Sequence, residues 1–268
     1  MTKPPDLPLS GEIRPPQWKG MDDFAAGIDG NRLPSTNSLA GRTLRIRPDT
    51  GDELELAFGS GDQVDWRQGG RSGSDWYENI EMRPGLHYLS VTHQDDPRAA
   101  EVIIADESTG RTLTVAGRIA DQPTPGRPRV SQTFTTGVLA GATVRGPVPG
   151  PSRDLVGWRA LYRYSPNHLY EHVYLSSERY CWQCIVGEQC GHGDVDLAST
   201  WSLGENLYVF TFREFLIPVA ATWLYDLDAM RTTGTFLGLG ADGTARCAPG
   251  GAFITELGRV SYPDEQPV

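Results

Sequence analysis

From residue 43 to residue 139, short runs of alternating apolar and polar residues are separated by clusters of turn formers. A period of two places successive side chains on opposite faces of a strand, whereas a helix repeats every 3.6 residues. The pattern predicts strands near 43–47, 53–58, 62–68, 75–82, 86–94, 99–107, 111–118 and 130–139. Turn signals lie between them: Pro48 to Gly51, Gly59 to Gly61, Gly69-Gly70, Pro84-Gly85 and Ser108 to Gly110. A second set is predicted near 158–164, 170–176, 179–186, 195–203, 206–214, 219–227, 232–238 and 251–261. About eight short strands in meander order suit a small closed barrel. The expected fold is therefore all-β, with two tandem antiparallel β-barrels of about eight strands each and little helix.

The two halves echo one another. Leu39-Ala-Gly41 returns as Leu155-Val-Gly157, 116 residues later, and Trp66 returns as Trp182. Further on the offset becomes 120, pairing Tyr88 with Tyr208, Asp106 with Asp226 and Arg111-Thr112 with Arg231-Thr232. A steady offset broken by a four-residue insertion is how a drifted duplication looks. The expected organisation is an irregular, Pro-rich segment over 1–38, a first barrel over 39–140, a Gly/Pro linker over 141–152 and a second barrel over 153–268. Trp18 and Phe24 are candidates to fasten the N-terminal segment to a barrel.

Composition narrows the function classes. Among 268 residues, 38% are hydrophobic, with seven Trp, ten Tyr and eight Phe, so a real core is available and global disorder is excluded. The abundance of Gly (31) and Pro (20) argues against a helical bundle. A net charge of −10 argues against a nucleic-acid partner, whose phosphates need a concentrated basic face. The only lysines are Lys3 and Lys19, which leaves no Schiff-base lysine in the folded body. A Gly-Lys-Ser/Thr phosphate loop is absent. No apolar run is long enough to span a membrane, and the first residues carry no apolar leader, so a soluble cytoplasmic protein is expected. The four cysteines all fall in the second half, too few and too lopsided for a disulfide scaffold.

Candidate chemistry concentrates in the second half. Tyr162 and Tyr164 share one strand face; so do Tyr170, His172 and Tyr174; so do Tyr208, Phe210, Phe212 and Glu214. If the last face lines the barrel, desolvation raises the pKa of Glu214 and suits it to proton transfer. If that face points outward, Glu214 is a rim charge and Arg213 points inward; periodicity leaves both open. The tyrosines are either packing or ligand contacts. Cys181, Cys184, Cys190 and His192 have zinc-ligand chemistry. However, Cys181 and Cys184 are three residues apart on a strand and so point to opposite faces. Glycines flank His192, and Asp194 and Asp196 follow it. This stretch is either a site for close backbone approach or a solvated hairpin turn.

Three stretches resemble the bacterial MoaF family, nominally molybdenum cofactor biosynthesis protein F. They run from Asp23 to Pro34, from Tyr162 to Leu175 and from Tyr180 to Asp196, and the pattern continues through Tyr208 to Pro218 and Arg231 to Gly234. The resemblance covers residues 22–261 and implies two calycin-type (lipocalin-like) barrels in tandem. Nothing in the sequence resembles pterin, nucleotide or molybdenum chemistry. The second half also resembles phenolic acid decarboxylase, a single-barrel calycin lyase. Tyr162 and Tyr164 match its tyrosine pair, Glu214 matches its catalytic glutamate, and His192 falls where it has an arginine. Losing that permanent cation counts against decarboxylation itself. At the matching points the first half has Arg45, Arg47 and Gln94; a Gln cannot transfer protons, so that half looks catalytically silent.

These readings imply a lyase, isomerase or cyclase step on a small aromatic or conjugated metabolite, without a metal or organic cofactor. Glu214 is the expected general acid/base, Tyr162 and Tyr164 the expected anchors, and His192 a second proton-transfer or orienting group. Tyr170, His172, Trp182, Phe212, Arg213 and Asp196 are the expected ligand contacts. The rival expectation is a non-catalytic, lipocalin-like binding protein. A homodimer is left open, and no nucleic-acid or membrane partner is expected.

Overall fold

The computed structural model describes residues 20–268, and strands dominate it. Trp18 and the start of the N-terminal segment lie outside the described residues. The first barrel runs β1 (Thr43–Pro48), β2 (Leu54–Phe58), β3 (Gln63–Gln68), β4 (Arg71–Arg83), β5 (Leu86–Thr92), β6 (Ala99–Asp106), β7 (Arg111–Ile119) and β8 (Val130–Leu139). Each strand pairs antiparallel with the next, and β1 closes on β8 with Ile46 opposite Leu139. β9 (Gly150–Pro151) follows, then β10 (Trp158–Ser165), β11 (His168–Tyr174), β12 (Arg179–Val186), β13 (Gly193–Gly204), β14 (Leu207–Arg213), β15 (Val219–Asp226), β16 (Arg231–Leu239) and β17 (Ala245–Arg259). β10 to β17 form the second barrel, closed where β10 meets β17 and with β12 paired to β13. The expected architecture of two tandem eight-stranded barrels is what the chain adopts. The Gly/Pro stretch after the first barrel contributes β9, which pairs with β13 at Trp201 and Ser202, beyond the reach of β12. That covers an edge otherwise open to stray pairing.

The barrel interiors differ in kind. The first is mostly aliphatic, with Leu44, Ile46, Leu56, Val64, Leu89, Val91 and Ile103 at its centre. The second is filled with rings, among them Trp158, Tyr162, Tyr174, Phe210, Trp223 and Tyr225. The outer faces meet, with Ile80, Tyr88, Val102, Ile104 and Val115 of the first barrel packing on Leu207, Val209 and Leu224 of the second. This contact explains why β5, β14 and β15 are buried on both faces and read as near-continuous apolar runs. Phe134 stacks on Trp201 at 4.8 Å, and Arg83 grips Asp226 through two bonds of 2.6 Å.

The N-terminal segment is fastened through Phe24, as the sequence invites. A single helical turn, α1 (Met21–Phe24), inserts Met21 and Phe24 into the second barrel's core, and Ile28 follows. Arg246 holds Asp22 at 2.9 Å, Asn31 N–H donates to the Tyr164 carbonyl at 2.8 Å, and Arg231 donates to the Asn31 carbonyl at 2.6 Å. The chain then crosses to the first barrel, where Arg32 forks onto Glu78 with two bonds of 2.7 Å. No helix among the described residues is long and apolar enough to cross a membrane.

The register corrects the alignment of the halves. Leu56 faces Trp66 in the first barrel as His172 faces Trp182 in the second, an offset of 116. Val64 faces Asp75 as Tyr180 faces Asp196, so the offset has risen to 121 by β4. It is still 121 where Trp76 faces Thr92 as Leu197 faces Arg213, and only later becomes 120. A slip of one residue exchanges the faces of a strand. Tyr88 is therefore an outward residue at the inter-barrel contact, whereas Tyr208 belongs to the second core. Leu44 and Ile46 point inward in β1, while Arg45 and Arg47 pair outside with Glu55 and Glu53. The position equivalent to Glu214 is His93, not Gln94.

Candidate active site

Inward rows from five strands converge near one end of the second barrel. β10 supplies Tyr164, β11 supplies Tyr170 and His172, β12 supplies Tyr180 and Trp182, β13 supplies Asp196, and β14 supplies Phe212 with Glu214 just past its end. Phe24 and Ile28 of the N-terminal segment close this end from above. They enclose a cavity of about 30 Å³, into which Gln189 and Phe236 also project. That is room for roughly one or two waters.

The inward orientation of Glu214 is now fixed. Its backbone N–H donates to the Val219 carbonyl at 3.0 Å, and only 6% of the residue is exposed. Among the described residues none hydrogen-bonds its carboxyl group. Burial first, then the negative fields of Asp196 and Asp194, raise its pKa well above the usual carboxylate range. Asp196 is fully buried but better served. It accepts from Trp182 Nε1 at 2.9 Å and from Phe215 N–H at 3.1 Å, and burial pushes it up to about 6. Burial thus biases Glu214 towards its protonated form, beside an Asp196 whose carboxylate two hydrogen bonds help to hold.

The surrounding polar groups are poised rather than spent. Tyr164 and Tyr180 make no side-chain hydrogen bond with the described residues, and burial raises both phenols. Tyr170 donates to Gln189 Oε1 at 2.9 Å, which leaves the buried Gln189 Nε2 without a partner. His172 stacks on Tyr162 with ring centres 4.1 Å apart, and its buried Nδ1 also has no partner. Burial drives His172 down to about 3, so its imidazole is neutral. Unpaired buried polar groups are costly in a folded protein and call for an explanation, such as a bound ligand.

Of the expected site residues, the structure gathers Glu214, Tyr164, Tyr170, His172, Trp182, Phe212 and Asp196. It does not bring Tyr162, Arg213 or His192 to the cavity. The Tyr162 hydroxyl lies 2.6 Å from that of Tyr174, which donates to Tyr225 at 2.9 Å, so the three form a closed chain in the core. Arg213 alternates with Phe212 and turns outward, donating to Ser199 at 3.1 Å. His192 sits in the β12–β13 turn, its carbonyl accepting from Cys184 N–H at 2.8 Å. Its side chain lines an exterior groove with Arg159, Glu171 and Gln183. Cys184 faces inward and Cys181 outward, as their spacing on a strand dictates. Sequence reasoning passed over Tyr180, Gln189, Phe236, Phe24 and Ile28 as cavity walls. Two of them left a signal: Tyr180 shares the strand face of Trp182, and Phe24 is an apolar ring in an otherwise Pro-rich segment.

Comparison with known proteins fits this two-barrel plan. The MoaF N-terminal domain family matches residues 16–121, and the MoaF C-terminal domain family matches residues 149–260. Protein MoaF of Klebsiella aerogenes is 30% identical over 226 residues, which cover 81% of this chain and 84% of that protein. A crystal structure described as a "putative beta-lactamase" from Burkholderia vietnamiensis aligns at 19% identity with a TM-score of 0.31. It spans 42% of this chain and 99% of its own, a likeness too low to carry an argument. With both domains matched in order and a relative at this identity along most of its length, the chain belongs to the MoaF family.

Proposed function

We propose that the second barrel is a cofactor-independent acid–base enzyme acting on a small aromatic or conjugated molecule. The observation that supports this reading most is the buried Glu214 carboxyl, hydrogen-bonded by no described residue and raised in pKa by burial, at the end of a ring-lined cavity. Glu214 gives its proton to one end of a conjugated system, and the carboxylate so formed takes a proton back from another position. An isomerisation or elimination of this type leaves the enzyme unchanged and moves no net electrons. Tyr164 and Tyr180 donate to an oxygen of the substrate, and Gln189 Nε2 offers a further donor. Neutral His172 supplies a polar ring wall. His192 has no part in the step.

A ring-sized substrate does not fit about 30 Å³, so Phe24 and Ile28 must withdraw for it to enter. They belong to the N-terminal segment rather than to the barrel wall, so the opening can occur without breaking the sheet. The same enclosure favours a second reading, a carrier that sequesters its ligand without turnover. Incubation with mixtures of hydroxycinnamates and flavonoids, followed by mass spectrometry and isomer analysis, separates the two. The enzyme reading expects a product that Glu214→Gln abolishes while binding survives. Binding with no product in any mixture would favour the carrier, and turnover that survives Glu214→Gln would refute the role given to Glu214.

A further inference from the structure

The first barrel has its own cavity, and it is the larger one. It encloses about 340 Å³, within the range of roughly 300–1,000 Å³ usual for small-molecule sites. Leu54, Leu56, Trp66 and Val91 form an apolar wall, and Asp75, His93 and Glu101 converge on the same space. The corrected register gives these groups a pedigree. Asp75 occupies the position of Asp196, His93 that of Glu214 and Trp66 that of Trp182. This half is not silent: a titratable pair stands where the second barrel has its two carboxyls. His93 Nδ1 lies 2.8 Å from Asp75 Oδ2, and the Gln94 N–H donates to Asp75 Oδ1 at 2.9 Å.

We propose that this cavity is a second small-molecule site, which takes a flat organic cation such as an amidinium or ammonium on an aromatic ring. The ring would lie against Leu54, Leu56 and the edge of Trp66, whose face Arg71 covers, with the cationic head between Glu101 and Asp75. Two observations carry the charge preference. The carboxyl groups of Asp75, Asp95, Asp96 and Glu101 line the space, against Arg71 and His93 as the basic groups. Asp96 is neutralised by Arg118, and Arg71 is drawn over the face of Trp66 at 6.0 Å. Glu101 accepts no hydrogen bond from any described residue. Burial holds the Glu101 carboxyl above its usual range, a cost that an adjacent cation relieves. The second barrel's chemistry plays no part in this assignment, so either can fail without the other.

Benzamidine, benzamide and benzoate provide one shape in three charge states. They are titrated into the full chain, with NMR observation of the Trp66 indole signal assigned through Trp66→Phe. Benzamidine should shift that signal and bind at least about ten-fold more tightly than benzamide, with benzoate weakest. Glu101→Gln, near-isosteric, should erase the preference for benzamidine. Ala99→Leu, which grows into the cavity, should block all three probes. Glu214→Gln should change none of this. Benzamide binding as well as benzamidine, an unchanged preference in Glu101→Gln, or shifts confined to second-barrel residues would each overturn the proposal.

Discussion

The protonation state of Glu214 makes a quantitative prediction about stability. A carboxyl whose folded pKa is raised binds more protons folded than unfolded. Its share of stability is therefore present at low pH and is lost as pH rises from its unfolded value of 4.5 towards its folded one. While that loss proceeds, one such group costs about 1.4 kcal/mol per pH unit. Glu214→Gln keeps the shape and stays neutral at every pH, so the variant should gain on the wild type by that slope. Other groups titrate nearby, since His172 and His87 are both lowered by burial and Asp196 is pushed up to about 6. The histidines act in the opposite direction, because a lowered base makes stability rise with pH. Their effects are common to both proteins and cancel in the difference, most cleanly above about pH 6, where Asp196 is ionised in both. Each pH unit crossed while the folded protein still holds that proton is worth about 1.4 kcal/mol, or roughly 3–6 °C in Tm for a chain of this size. Thermal or urea denaturation of both proteins between about pH 5 and 8 measures it. A difference between variant and wild type that stays flat across this range would show that Glu214 is already ionised, and the acid assigned to the site would not exist.

Four other substitutions separate packing from function. Arg83→Met strips the buried Asp226 of its fork and should cost about 2–3 kcal/mol in thermal denaturation; an unchanged Tm would mean that the apolar contact alone holds the barrels together. Tyr162→Phe should cost about 1 kcal/mol of stability through the broken Tyr162–Tyr174–Tyr225 chain and leave ligand affinity alone. Tyr164→Phe should do the reverse, weakening binding by about 0.5–1.5 kcal/mol with little loss of stability, as calorimetry and melting of the same samples would show. Gly251→Ala drives a methyl group into the backbone of Arg32 and should loosen the N-terminal segment. Faster amide exchange at Phe24 and Ile28 and faster ligand entry are expected, whereas unchanged exchange would show that the segment does not gate the cavity.

The strands were legible because each barrel wall has one face in and one face out, and a period of two writes that alternation directly into the chain. What periodicity does not carry is parity. The row Tyr208, Phe210, Phe212 and Glu214 is equally regular facing in or out, and only closure of the sheet with Asp196 beside it places Glu214 inside. Parity also misled the comparison of the halves, since the second half is five residues longer by β13 rather than four, and an offset of 120 set Gln94 opposite Glu214 when His93 is its spatial partner. His192 stood out through its flanking glycines, yet glycines serve turns, and the turn aims it outside. His172, on a plain alternating strand, was the histidine that reached the cavity.

The N-terminal segment explains how two barrels of common plan came to differ. It stops the second mouth with Phe24 and Ile28, and ring against ring leaves about 30 Å³ around a carboxyl that cannot ionise cheaply. Among the described residues no such stopper enters the first mouth, and the same wall positions carry Val64 and Leu56 where the second barrel has Tyr180 and His172. Smaller walls leave about 340 Å³ around a histidine paired to an aspartate. Acid strength follows enclosure: the closed barrel favours the protonated form of Glu214, and the open one leaves its charges to solvent or to a ligand of opposite sign. A segment that no strand pattern announces thus sets the chemistry of the barrel it enters.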